Sequence, residues 1–238
     1  MYRLRRQLCI WTQGCRFVIY YLEFYAGEQA PLCCKSVIWK GEGKTMKMIK
    51  GMDISTLLEE EACGAKYYDF GEEADLLDIL KRYGVNSVRL RLWNDPYDEQ
   101  GNPYGAGTND LDKTICMAKR AKASGMGFLL DYHYSDFWAD PGKQIVPKAW
   151  QGYGPEQLEE AVYEYTVSTM TVLREAGVAP TMVQVGNELT NGLLWPTGQK
   201  PNFDQLAKYI NAGIRGVREV DDQVKIMIHL DNGGFNEM

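Results

Sequence analysis

The stretch Met182-Val183-Gln184-Val185-Gly186-Asn187-Glu188 carries strand-forming residues straight into an amide and a carboxylic acid. Exposed glutamate is common after strands, so one reading is that Glu188 merely opens a surface loop. Immediately upstream, Pro155 opens a helix that runs to Ala176 and stops at Gly177, and the strand then spans Thr181 to Val185. Immediately downstream, Asn202 caps another helix and Val224 to Leu230 reads as a strand. The same alternation runs back to the apolar segment Ile49 to Ile54. There a helix is predicted to open at Glu72 and Glu73, with Leu76, Leu77 and Leu80 on one face and Gly84 as its stop. Val85 to Trp93 is a second strand. Thr108 or Asn109 caps a helix with Leu111, Ile115 and Ala118 inward, Gly125 ends it, and Gly127 to Tyr134 is the third strand.

Strands alternating with helices imply right-handed βαβ units and a parallel sheet, an α/β protein. A doubly wound open sheet gathers its ligand site at one switch point, usually with a glycine-rich phosphate turn, but neither GxGxxG nor GxxxxGK[ST] occurs here. Instead every strand delivers polar groups at its carboxyl end. These are Asp53; Arg91, Trp93, Asn94 and Asp95; Asp131, His133 and Asp136; Asn187 and Glu188; His229 and Asp231. Such a ring is the signature of a (β/α)8 TIM barrel, present here as an incomplete one of about five βα units, with the remaining units expected beyond Met238.

Two regions follow: an atypical leader over residues 1–48, expected to stand apart from the fold, and the barrel portion over residues 49–238. The leader has Arg3, Arg5 and Arg6 and an apolar burst, Phe17 to Leu22, that Glu23 interrupts, which is too short and too broken for a secretory signal. Met46 and Met48 are candidate true starts, and with them a cytoplasmic location is favoured over secretion. The chain has 238 residues, 45% of them hydrophobic, and a net charge of -6, enough for a substantial core. The acidic balance argues against a nucleic-acid surface, and the lack of a long apolar run excludes a membrane-spanning helix. Of six cysteines, Cys9, Cys15, Cys33 and Cys34 fall in the leader; Cys63 in a loop and Cys116 in a helix are expected to be reduced, half-buried thiols.

The chemistry of the strand ends points to sugars. A partly desolvated carboxyl at Glu188, with a raised pKa, suits a glycosidase acid/base, and Asn187 beside it suits a bond to a sugar hydroxyl. Arg89, Arg91 and Trp93 share one parity and so face one side of the sheet, where two arginines need carboxylate partners. Tyr132 to Pro141 mixes aromatic rings with His133, Asp136 and Asp140, as pyranose sites do, although a buried histidine bonded to backbone is an equally common outcome. With only two histidines and no HExxH spacing, no metal is expected, and no GxSxG elbow or cofactor motif is present.

GMDIS at Gly51–Ser55, SVRLRLWNDP at Ser87–Pro96, DYHYSDFWADP at Asp131–Pro141, VQVGNE at Val183–Glu188, GLLWPTG at Gly192–Gly198 and IMIHLDNG at Ile226–Gly233, in this order, resemble glycoside hydrolase family 53. The resemblance begins near Lys50; the leader has no counterpart. It implies an endo-β-1,4-galactanase of the clan of retaining barrel glycosidases, cleaving galactan and type I arabinogalactan with catalytic glutamates after strands four and seven. On that basis Glu188 is the acid/base, Asn187 its neighbour and Arg89 the arginine beside the nucleophile. The same resemblance places Asp131, His133, Asp136, Trp138 and His229 in the sugar site, the strand-end residues Asp53 and Trp93 are expected there with them, and β-1,4-galactan or a galacto-oligosaccharide is the expected partner. The nucleophile belongs to a later strand, and Glu237 is too close in sequence to replace it. The chain by itself is therefore expected not to hydrolyse galactan, and its exposed strand edges to make it poorly soluble. The alternatives are a related barrel glycosidase of other specificity, a non-catalytic carbohydrate-binding remnant, or a truncated fragment without a role of its own.

Overall fold

The computed structural model describes residues 48–231 in full, together with the backbone of a hairpin in which Arg5–Gln13 pairs antiparallel with Cys15–Glu23. The leader cysteines, Met46 and Glu237 lie outside the residues described in full, as does most of the segment expected to stand apart.

Five strands form one parallel sheet: β1 (Gly51–Asp53), β2 (Ser87–Leu92), β3 (Gly127–Tyr132), β4 (Met182–Val185) and β5 (Lys225–Met227). Their spatial order is their sequence order, each paired in parallel with the next. A doubly wound sheet reverses direction at its switch point; this one never does, which is barrel progression.

Strand parity sorts the side chains. Val88, Leu90, Leu92, Leu130, Tyr132, Val183 and Val185 join the main core beneath the helices, with Met117, Leu158, Met170, Tyr209 and Val217. On the opposite face Leu129, Met182 and Met227 form a small apolar cluster of their own, with Ile49 against it. Two positions further along the same strands come Asp131, Gln184 and His229. The concave face is thus apolar at its amino end and polar at its carboxyl end, the gradient that a barrel-mouth site requires.

The helices are α1 (Leu57–Ala62), α2 (Leu76–Arg82), α3 (Leu111–Ala123), α4 (Pro155–Glu175) and α5 (Phe203–Val220). Several details depart from expectation. Glu72–Glu73 does not open α2 but pairs antiparallel with Tyr68–Asp69, and α2 starts after Asp75, whose carboxylate accepts from Leu77 N at 2.7 Å. The cap of α3 is Asp110, accepting from Lys113 N at 2.7 Å, rather than Thr108 or Asn109. Thr108 has a left-handed backbone, φ 43°, and belongs to the turn before the helix. Within α3 only Ala118 of the three expected inward residues is fully buried, Leu111 and Ile115 being half-buried. Strand β3 ends at Tyr132 because Tyr134 takes a left-handed conformation, φ 48°, that turns the chain out of the sheet. Cys63 and Cys116 are free thiols but exposed, not half-buried: Cys63 sits at the end of α1 and Cys116 on the outer face of α3.

Candidate active site at the carboxyl ends of the strands

Arg89 on β2 is the hub. Its Nη1 donates to Asp53 Oδ2 of β1 at 2.7 Å, and its Nη2 reaches Asp131 Oδ2 of β3 at 2.5 Å and Asn187 Oδ1 after β4 at 2.8 Å. One side chain therefore ties four strands together at the level where their carboxyl ends converge. Asp53 is completed from its own turn, where Ser55 N donates to Oδ1 at 3.0 Å and Ser55 Oγ accepts from Arg91 N at 3.0 Å. Burial pushes both aspartates toward neutrality, but it is outweighed. Arg89, Arg91 and Ser55 hold Asp53 below the usual carboxylate range, and Arg89 with His133 does the same for Asp131.

His133 is fully buried and its tautomer is set by its partners. Ala139 N–H donates to Nδ1 at 3.1 Å, so Nε2 carries the proton and donates to Asp131 Oδ2 at 3.0 Å. Burial lowers its pKa further, and the ring is neutral. His229 is likewise pushed down to about 4 by burial and then by Arg89, and its Nδ1 donates to Asn187 Oδ1 at 2.9 Å. Asn187 also donates through Nδ2 to Ala139 O at 2.8 Å, so every polar atom of its side chain is engaged by the protein. Asp136 spends both oxygens on loop backbone, accepting from Asp95 N at 3.0 Å and Lys148 N at 2.7 Å, and burial raises its pKa.

The remaining aromatic candidates stack beside this network. The Arg91 guanidinium lies 4.2 Å from the Trp138 ring centre, and Trp93 is fully buried 5.9 Å from Trp138. The structure thus gathers Asp53, Arg89, Asp131, His133, Asn187 and His229 into one bonded cluster, with Trp93 and Trp138 against it through Arg91. Asp136 holds the surrounding loops instead. Among these residues Glu188, Asp53, Arg89 and Trp138 keep some surface open; Asp131, His133, Asn187 and Trp93 support the site from below.

Glu188 follows the turn at Gly186 and is itself left-handed, φ 51° and ψ 57°. It is half-buried. Burial first, then the charge of Asp231, raises its carboxyl to about 6 against the opposing pull of Arg89. A carboxyl that is still partly protonated near neutral pH, at the rim of a barrel and within the field of Arg89, can both donate and accept a proton. Sequence reasoning missed two buried amides. Gln184 Nε2 donates to Asp131 Oδ1 and bonds Asn187 Oδ1 at 3.2 Å, and Gln144 lies beneath the Glu188 turn. Gln184 carried a signal, a polar residue inside a buried strand; Gln144 sits in an aperiodic loop and carried none. Among the described residues no group of three or more His, Cys, Asp or Glu is placed to hold a metal ion.

The sequence profile of glycosyl hydrolase family 53 matches residues 49–237. The chain belongs to this family. It is 43% identical over 194 residues to the endo-β-1,4-galactanase of Bacillus subtilis (strain 168), an alignment covering 81% of this chain and 44% of that protein. It is 42% identical over 187 residues to arabinogalactan endo-β-1,4-galactanase A of Aspergillus niger, covering 77% and 51%. Among solved structures, a family 53 catalytic domain from Ignisphaera aggregans superposes with a TM-score of 0.74 at 50% identity, covering 76% of this chain and 51% of that one. Two fungal β-1,4-galactanases are represented by a match with a TM-score of 0.70 at 39% identity, covering 78% and 54%. The chain spans about half the length of the curated relatives it matches. Its five consecutive parallel strands are those of an incomplete family 53 α/β barrel.

Proposed function

We propose that this chain carries the acid/base half of a retaining endo-β-1,4-galactanase site acting on β-1,4-galactan and type I arabinogalactan. The observation that carries the reading is Glu188: a half-buried carboxyl raised to about 6, at the end of the fourth barrel strand, directly after an asparagine locked to Arg89. In the first half of the reaction its proton goes to the glycosidic oxygen as the bond to the anomeric carbon breaks; in the second it takes a proton from the attacking water. Arg89 acts on its carboxyl, and Trp138, packed against Arg91 and His133 in the same cluster, offers a ring on which a galactose face stacks.

Retention requires a second carboxyl about 5 to 5.5 Å from the first, acting as nucleophile. Among the described residues we assign none to that role. Asp131 is buried and bonded to Arg89, His133 and Gln184, and Asp53 is held by Arg89 and Ser55. The 238-residue chain is accordingly expected to bind galacto-oligosaccharide without turning it over. Two measurements on the purified chain test this: reducing-sugar release from galactan, and calorimetry with galactotetraose. Binding without release supports the reading. Sustained release refutes the absence of a nucleophile, and tighter binding of gluco- or manno-oligosaccharides refutes the galactan specificity.

A further inference from the structure

The backbone of Glu188 sits in a region that side chains other than glycine occupy only when their surroundings enforce it. What enforces it here is not the strand ladder, which ends at Val185. Both carbonyls flanking the Glu188 Cα point at one buried amide: Gln144 Nε2 donates to Asn187 O at 2.8 Å and lies 3.4 Å from Glu188 O. The same nitrogen is 3.3 Å from Asp140 O, so its second hydrogen is shared between the loop and the turn. Gln144 is 1% exposed. Its own backbone is pinned as well, its carbonyl accepting from Trp195 N at 2.8 Å. On the other side of the turn Leu189 N donates to His229 O at 3.0 Å. The peptide units before and after Glu188 are therefore held from the β3–α4 loop on one side and from the end of β5 on the other.

We infer that Gln144 is a positioning residue for Glu188, its amide fixing the two peptide planes that aim the Glu188 carboxyl into the barrel mouth. The role rests on Glu188 being the acid/base group proposed above, but the geometry stands by itself. The Gln144 Oε1 atom has no partner among the described residues, so the bonds that hold this side chain run through its nitrogen. A leucine would fill the same space and leave both carbonyls without their donor. The left-handed turn would then relax, and the carboxyl would swing away from Asp231, Arg89, Asp140 and Asp131, the charged groups that act on it, toward water.

The test is carbon-13 NMR titration of the Glu188 carboxyl in the full 238-residue chain and in Gln144→Leu, with Gln144→Asn as a milder variant in case the first does not fold. Gln205→Leu, which removes a buried amide from α5, is the control. The parent midpoint is expected near 6. In whichever Gln144 variant retains the parent circular dichroism, it should fall toward the ordinary glutamate value by about half a unit or more, while the Gln205 control stays at the parent value. An unchanged midpoint in a folded Gln144 variant, or an equal fall in the control, overturns the inference. Because the titration needs no turnover, absent galactan hydrolysis leaves this result interpretable, and a failed titration leaves the galactanase reading standing.

Discussion

Replacing Arg89 with methionine removes the cation that four strand ends share while roughly preserving its apolar stem. Asp131, with no exposed surface, would keep only the Gln184 and His133 donors, and Asp53 would keep Ser55 N and an Arg91 Nε 3.8 Å away. Removing one partner of a buried ion pair costs about 3–5 kcal/mol because an uncompensated charge stays behind. Two carboxylates lose their partner here, but each retains a hydrogen-bond donor, so about 4 kcal/mol at pH 7 is expected. That is a large share of a domain's typical stability of about 5–15 kcal/mol. The pH dependence gives the sharper check. In the parent, both aspartates have depressed folded pKa values, so their stabilisation is present above the ordinary aspartate range and is lost as pH falls through the folded values. In Arg89→Met, burial without the guanidinium raises those values, so acid relieves the strain by neutralising the carboxyls. The gap between parent and variant should therefore be widest at pH 7 and shrink toward pH 4. Urea unfolding at pH 7, 5.5 and 4 measures it. A penalty below about 1 kcal/mol at pH 7, the scale of an exposed pair, or a gap that widens toward acid, would refute the assignment of Arg89 as the buried hub.

Glu188→Gln should stabilise the fold above pH 6 and leave it unchanged at pH 4. With a folded value near 6, the parent's stability is complete below the ordinary glutamate value and is lost as pH rises through 6; equal melting temperatures for the two proteins at pH 8 would contradict this. Gly213→Ala places a Cβ 2.6 Å from both Tyr134 Oη and Val185 Cγ1. The helix-propensity gain of about 1 kcal/mol is outweighed by overpacking of about 1–3 kcal/mol, so a net loss in urea midpoint is expected, and a variant as stable as the parent would show that α5 can shift outward freely.

Much of the fold is legible in the chain itself. Residues two apart on a strand share a face, so the apolar run at Val183 and Val185, and the polar series Arg89–Arg91 and Asp131–His133, declared both layers of the sheet from local order alone. The caps were less secure. Asp110 lies next to Thr108 and Asn109, and all three residue types can cap; the left-handed backbone of Thr108 made the choice. At Glu72–Glu73, pairing with Tyr68–Asp69 overrode a plausible helix start.

Sequence by itself determined the α/β alternation, the strands whose carboxyl ends carry the polar groups, and Glu188 as the carboxyl that follows the fourth of them. Only the tertiary structure decided that the strands follow one another without reversal, that Asn187 and His133 are consumed by protein partners, and that Gln144 underpins Glu188 from a loop. Periodicity and capping are sums over neighbours in the chain. Desolvation, ion pairing and the aim of a carboxyl depend on atoms that meet only after distant segments pack, as Arg89 and Asn187 do across 98 positions.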